Sequence, residues 1–175
     1  MLEREQQVYD ALSALRIPFT SIQHHAARTM DDCKSIVSEP GVAYCKNLFL
    51  CNRQKTQFYL LLILPDKVFH TASVSRQLGV SRLSFAPEDL LPVYLGLYPG
   101  AVSPMGLLND TEGRVRLLVD SDLPRSPRVA FHPCVNTATV TLPTQDFFNI
   151  FLPHTGHIPT MVSLPAAEPS VLEVT

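Results

Sequence analysis

Three short stretches of this sequence place polar groups where an apolar framework could aim them at a ligand. Lys46 stands between Cys45 and Asn47, at the head of the apolar run Leu48-Phe49-Leu50. A lysine there can carry its ammonium into a cleft at the end of a strand. It can equally be an edge charge that stops the strand from pairing with another chain. Gly100-Ala101-Val102-Ser103-Pro104 is a loop of small residues whose backbone N–H groups can approach a ligand closely, although an ordinary turn would look the same. Phe131-His132-Pro133 puts an imidazole just ahead of a strand that begins near Asn136-Thr137, either at a cleft or as a bonded structural histidine. The chemistry within reach of such a set is attraction for an anion, hydrogen bonding by an amide, and backbone donation to a developing oxyanion.

Common hydrolase machinery is missing. The sequence has no Gly-x-Ser-x-Gly elbow, no His-Glu-x-x-His and no cysteine in a motif that marks a nucleophile. His154-x-x-His157 has the spacing of a ligand pair, but it lies where a helix ends, beside Pro153 and Gly156, with no acidic or thiol partner nearby. It reads as a surface loop, and His24-His25 is no stronger as a metal site. The four cysteines, Cys33, Cys45, Cys51 and Cys134, form no C-x-x-C pair and read as reduced, mostly buried thiols. No metal and no cofactor is expected, so chelators should leave any activity unchanged.

Charge narrows the partners. With 14 Lys+Arg against 16 Asp+Glu, the chain cannot coat nucleic acid, and it offers no basic stripe for general DNA binding. Any RNA contact must be local. Arg28, Lys34, Lys46, Arg53 and Lys55 do gather positive charge in one early segment, as a solvated face would also do. The charged N-terminus lacks an apolar signal-peptide core, and the run Tyr59 to Leu64 is too short to span a bilayer. A cytoplasmic protein without membrane contact is expected. At 175 residues the chain suits one domain, placed at residues 1–165, with a flexible tail over 166–175.

The elements that must position these groups are legible in outline. Leu2, Val8, Tyr9, Leu12 and Leu15 fall near helical spacing, and Ile17-Pro18 ends that helix. A strand over 19–24 follows, then a short helix from the capping pattern Thr29-Met30-Asp31-Asp32 to about Ser38. Residues 44–51 and 57–64 read as a β-hairpin across Asn52-Arg53-Gln54-Lys55. Two short helices are expected over 73–78, ended by Gly79, and 87–94, begun by Pro87. A second hairpin is expected from the apolar segment 101–108 through the Asn109-Asp110 turn into a strand over 114–120. Residues 135–142 read as a strand, and Thr144 caps a closing helix through Leu152. No Gly-rich phosphate loop follows any strand, so the class is α+β, with a curved mixed sheet and peripheral helices.

Lys46-Asn47-Leu48-Phe49-Leu50, the Gly100 to Pro104 loop, Asn109-Asp110 and the segment from Phe131-His132-Pro133 to Asn136-Thr137-Ala138-Thr139 occur in an order that resembles the YbaK/ProX family of prolyl-tRNA editing domains. The resemblance runs from about residue 5 to residue 163 and is nearest to the freestanding, alanine-specific branch. His25-Ala26-Ala27-Arg28-Thr29 departs from the family's usual His-Pro-Pro-Val run, which touches local loop shape. The resemblance implies a barrel-like sheet and hydrolysis of the ester of mischarged tRNA for proline, most readily alanyl-tRNA. A cysteinyl or other aminoacyl-tRNA is the alternative substrate, and a non-catalytic tRNA- or synthetase-binding module the alternative class. The partner implied is the acceptor end of an aminoacyl-tRNA, with prolyl-tRNA synthetase as a further one. By the same resemblance, Lys46 would hold the terminal nucleotide, Asn47 would orient the aminoacyl end, Gly100 would lend backbone donors, and His132 would shape the pocket or bind the amino group. Met30, Cys33, Phe49, Ser103, Pro104 and Asn136 would surround the substrate.

Overall fold

The computed structural model describes residues 2–167, so most of the tail at 166–175 lies outside the described residues. The strands in chain order are β1 (Thr20–Gln23), β2 (Val42–Tyr44), β3 (Lys46–Cys51), β4 (Phe58–Ile63), β5 (Ser84–Phe85), β6 (Val115–Asp120), β7 (Arg128–Phe131), β8 (Ala138–Pro143) and β9 (Thr160–Val162). The helices are α1 (Glu3–Ala14), α2 (Met30–Ile36), α3 (Thr71–Leu78), α4 (Leu91–Leu95), α5 (Thr144–Asp146) and α6 (Leu152–Thr155). The α+β class is as expected, but the single curved sheet is instead two separately hydrogen-bonded mixed sheets. One runs β1-β8-β7-β2 and the other β5-β3-β4-β6-β9.

Strand β4 organises the molecule. Its six residues, Phe58 to Ile63, are all buried, and the two-residue pleat divides them between two cores. Phe58, Leu60 and Leu62 face the larger core, where Val8 and Leu12 of α1, Phe131 of β7, and Phe147 and Phe151 meet. Tyr59, Leu61 and Ile63 face a smaller core closed by Val74 of α3 and by Val162 and Leu164. The strand pairs antiparallel with β3 and parallel with β6, so neither backbone edge is left to solvent. The expected β3–β4 hairpin is present, with Asn52 Oδ1 accepting from the Thr56 and Gln57 N–H groups in its turn.

The second expected hairpin does not form. Residues Pro104–Asn109 make a 3₁₀ helix instead, started by Ser103, whose Oγ accepts from the Met105 N–H at 3.1 Å. Proline at the first turn cannot join a strand ladder, and Gly106 is packed so tightly that an added Cβ would lie 2.7 Å from Leu97 Cδ1. Strand β6 therefore pairs in parallel with β4 and β9, not back upon residues 101–108. The closing helix also differs: α5 passes through a π-helical turn at Phe147–Phe151 into α6. Pro153 lacks an N–H and would clash with a carbonyl of the preceding turn, which the wider turn relieves. Strands β2, β7 and β9 had no clear sequence signal, since each is short and β2 and β9 are exposed or half-exposed for most of their length.

Asp110, expected in a turn, is buried and joins distant segments. Its two oxygens accept the Arg114 and Val115 N–H groups at 2.9 Å, and Oδ2 also meets His157 Nε2 at 2.7 Å. Beyond the sheet ends, buried Lys67 contacts Asp122 at 2.6 Å, Asp120 at 3.4 Å and the Leu164 carbonyl at 3.2 Å. This draws the ends of β4 and β6 to the C-terminal segment. Ala166 bridges Lys67, and the Ala167 N–H donates to the Asp66 carbonyl at 2.6 Å. Among the described residues no helix is long and apolar enough to cross a membrane. Asp110→Ala leaves a buried imidazole and two N–H groups without their acceptor, and should cost roughly 3–5 kcal/mol in denaturant unfolding. A loss below about 1 kcal/mol would show that water replaces the carboxylate.

Candidate active site

Four segments converge at the Lys46 end of β3. The strand is held in place by β4, with Lys46 opposite Ile63 and Asn47 opposite Leu62. The pleat turns Asn47 to the face shared with buried Phe49, toward the other sheet. There its Nδ2 donates to the Val102 carbonyl at 3.0 Å and ties the glycine loop to the strand. Gly100 in that loop has φ +89°, a conformation that a side chain would strain. The Ala101 N–H is used by the Tyr98 carbonyl, whereas those of Gly100 and Val102 have no acceptor among the described residues.

Helix α2 brings Met30 and Cys33. Its start is the expected capping box: Thr29 Oγ1 accepts from the Asp32 N–H at 3.1 Å, and Asp32 Oδ2 accepts from the Thr29 and Arg28 N–H groups at 2.9 Å. Those bonds hold the Asp32 carboxyl below its ordinary range. The segment before α2 is tied to the loop after β7, since the Ala27 N–H donates to the Asn136 carbonyl and the His24 N–H to the Thr137 carbonyl, both at 2.9 Å. In that loop Cys134 sits at φ +61°, buried, with its thiol pushed up to about 12 by desolvation.

A cavity of about 320 Å³ lies between these segments, and Lys46, Asn47, Gly100, His132, Met30 and Cys33 all line it. A narrower recess of about 30 Å³ adjoins it, walled by Cys33, Val37, Tyr44, Asn47 and His132 among others. The other expected residues lie outside the cavity. Phe49 borders a neighbouring groove, while Ser103 is fully buried as the cap of the 3₁₀ helix and Pro104 is buried with it. Asn136 supports the wall from behind: Tyr98 Oη donates to its Oδ1 at 3.3 Å and accepts from its N–H at 3.2 Å. Val102 of the expected glycine loop also lines the cavity, as do Arg28, Thr29 and Cys45, which the sequence did not point to. Cys45 adjoins Lys46 in sequence, which was the one available hint. Arg28 and Thr29 lie in the stretch that departs from the family pattern.

The electrostatics favour an anion at one side and a hydrogen-bond donor at the other. Lys46 is half-buried and has no ion-pair partner among the described residues. Asn47 Oδ1 is buried and accepts nothing from the described protein, which leaves an unused acceptor on a residue that lines both the cavity and the recess. His132 Nδ1–H donates to the Ala138 carbonyl at 2.9 Å, so in the neutral ring Nε2 is the acceptor. Burial pushes His132 below its ordinary pKa; the carbonyl bond opposes this, and His24, with ring centroids 6.1 Å apart, adds to it. Burial raises the Cys33 and Cys45 thiols, which keeps both protonated near neutral pH and unsuited as nucleophiles.

The two histidines at 154 and 157 do not act together. His154 is exposed, but His157 is buried, contrary to the surface loop expected there, and its ring contacts Asp110 and Thr155. Among the described residues no group of three or more His, Cys, Asp or Glu is arranged to hold a metal ion.

Comparison with known proteins places this geometry. The family model for the aminoacyl-tRNA editing domain matches residues 24–150. The chain is 36% identical over 149 residues to the prolyl-tRNA editing protein ProX of Acetoanaerobium sticklandii, covering 85% of this chain and 91% of that one. It is 30% identical over 165 residues to the mouse prolyl-tRNA synthetase associated domain-containing protein 1, covering 92% and 96%. A solved structure described as a candidate trans-editing enzyme for prolyl-tRNA synthetase has the same fold, with TM-score 0.72, 18% identity and coverage of 95% and 99%. The class so defined is that of the hydrolases that deacylate aminoacyl-tRNA. This chain belongs to the aminoacyl-tRNA editing domain family.

The lowered pKa of His132 sets a testable pH window. A histidine depressed on folding contributes stability above its unfolded pKa, near 6.5, and loses it as pH falls through the lower folded value. The His132 ring protons, followed by NMR, should titrate with a midpoint below 6.5. A midpoint at or above 6.5 would mean the ring is better solvated than its surroundings indicate.

Proposed function

We propose that the chain hydrolyses the ester of mischarged tRNA for proline, acting on alanyl-tRNA in preference to prolyl-tRNA, as a freestanding trans-editing enzyme. The observation that carries this reading is the pairing of an open cavity, large enough for a terminal adenosine, with a recess of about 30 Å³ that shares Cys33, Cys45, Asn47 and His132 with it. A space that admits roughly one water or one methyl group takes the side chain of alanine and excludes the ring of proline. Such a sieve supplies what a synthetase pocket cannot, because one methylene discriminates by only about 1–3 kcal/mol. The name of the bacterial relative supports tRNA for proline as the substrate, and the names of the animal relatives support prolyl-tRNA synthetase as a partner.

In this mechanism Lys46 attracts the phosphate of the terminal nucleotide, and Asn47 Oδ1 accepts a hydrogen bond from the substrate's amino group. Water attacks the ester carbonyl, and its oxygen forms the new bond to carbon. The N–H groups of Gly100 and Val102 receive the developing oxyanion, and their preorganisation is the main catalytic contribution. The carbon–oxygen bond to the ribose then breaks, and the proton released by the water passes to the ribose oxygen. A neighbouring ribose hydroxyl of the tRNA orients the water, so no protein nucleophile is needed. Neutral His132 borders the recess and limits its size.

Lys46→Ala should slow single-turnover deacylation of alanyl-tRNA for proline on the order of 100-fold with an unchanged circular dichroism spectrum. Lys55→Ala, in the exposed β3–β4 turn, should leave the rate nearly unchanged. Equal rates for the two variants would refute the role of Lys46. Alanyl-tRNA should also be hydrolysed faster than cysteinyl- or prolyl-tRNA for proline, and prolyl-tRNA hydrolysis at the alanyl rate would sink the size sieve.

A further inference from the structure

We infer that the groove beside the cavity is a second nucleotide subsite, which takes the penultimate base of the tRNA acceptor end, a cytosine, stacked against Phe85 and read by Glu88. This rests on the function proposed above. The groove, of about 230 Å³, shares Asn47, Leu48, Gly100 and Val102 with the cavity. A chain leaving the cavity across Gly100 therefore enters it directly. Gly100 offers no side chain to obstruct that crossing, and Lys46, which lines the cavity beside it, attracts the linking phosphate.

The groove itself suits a base and not a phosphate. Its floor is Leu48, Phe49, Ala86 and Leu91. Phe85, on the two-residue edge strand β5, is 64% exposed, and its ring is braced edge-on by Phe69 with centroids 6.0 Å apart. An exposed aromatic ring beside an apolar trough is the usual platform for a single-stranded base. Glu88 lines the same groove, with Asp89 exposed next to it. Carboxylates repel a phosphate but accept a hydrogen bond from the exocyclic amine of cytosine, whereas uracil presents an acceptor there. All tRNA acceptor ends carry cytidine before the terminal adenosine, so reading that base would select tRNA ends from other esters.

The test compares three alanyl esters: of adenosine alone, of cytidylyl-adenosine and of uridylyl-adenosine. The wild-type protein should show kcat/KM about tenfold higher for the cytidylyl substrate than for adenosine alone. Phe85→Ala should erase that gain and leave the adenosine ester unaffected, and Phe85→Trp should restore it. Glu88→Ala should equalise the cytidylyl and uridylyl substrates. Because Phe85 and Glu88 are exposed, both variants should fold. An unchanged gain in Phe85→Ala, or an equal slowing on adenosine alone, would overturn the subsite while leaving the proposed function intact. A wild-type protein inactive on full alanyl-tRNA would instead remove the function itself.

Discussion

The continuous burial of β4 is the constraint from which the site follows. A strand covered on both faces and paired on both edges has no freedom of register, because a slip by one residue would exchange its two cores. Strand β3 inherits that register through its antiparallel ladder. Asn47 consequently lands on the face toward the second sheet, within hydrogen-bonding reach of Val102, and the glycine loop is fixed by a bond that begins in the core. The polar residues of the cavity are thus placed by the apolar residues that follow them in the same strand.

The same economy governs charge. A protein with a formal net charge of -2 cannot attract RNA over its whole surface, so a cation that lines a cavity and has no ion-pair partner among the described residues, as Lys46 does, carries local weight. Lys67 is the contrasting case. Its hydrogen bond to Asp122, with Asp120 beside it, holds its proton more firmly than usual, and its ammonium in turn pulls the Asp122 carboxyl below its ordinary range, which binds the charge to the framework and withdraws it from any ligand. The two lysines differ by what surrounds them. Lys46 borders open space, and Lys67 is enclosed by carboxylates and a carbonyl.

Strong local patterns were legible in the sequence. The capping box at Thr29, the β3–β4 hairpin and the left-handed glycine at the end of α3 were all read from neighbouring residues, because each is decided by interactions a few positions apart. The 3₁₀ helix at Pro104–Asn109 and the burial of Asp110 and His157 were not. Residues 101–108 are apolar enough for a strand, and Pro104 together with the packing of Gly106 against Leu97 excludes one. Asp110 beside an asparagine looks like a turn until a histidine 47 residues later closes on it. Among the site residues, Lys46 and Asn47 on β3, Met30 and Cys33 on α2, Gly100 and His132 come together at the cavity. Asn136 and Ser103 stand behind it, because their side chains answer to Tyr98 and Met105, contacts that sequence spacing does not reveal.

The pairing of β1 with β8 has a consequence for synthesis. Ile22 lies opposite Thr139, and the His24 ring bonds the Thr139 hydroxyl across 115 residues of chain. A ribosome adding about 5–20 residues per second needs roughly 6–23 s to cover that interval. Until it does, the segment before α2 has neither its strand partner nor the loop that orders it. The cavity is closed late in translation, by nearly the last strand made, so a truncated chain lacking β8 carries Lys46 and Asn47 but no complete pocket around them.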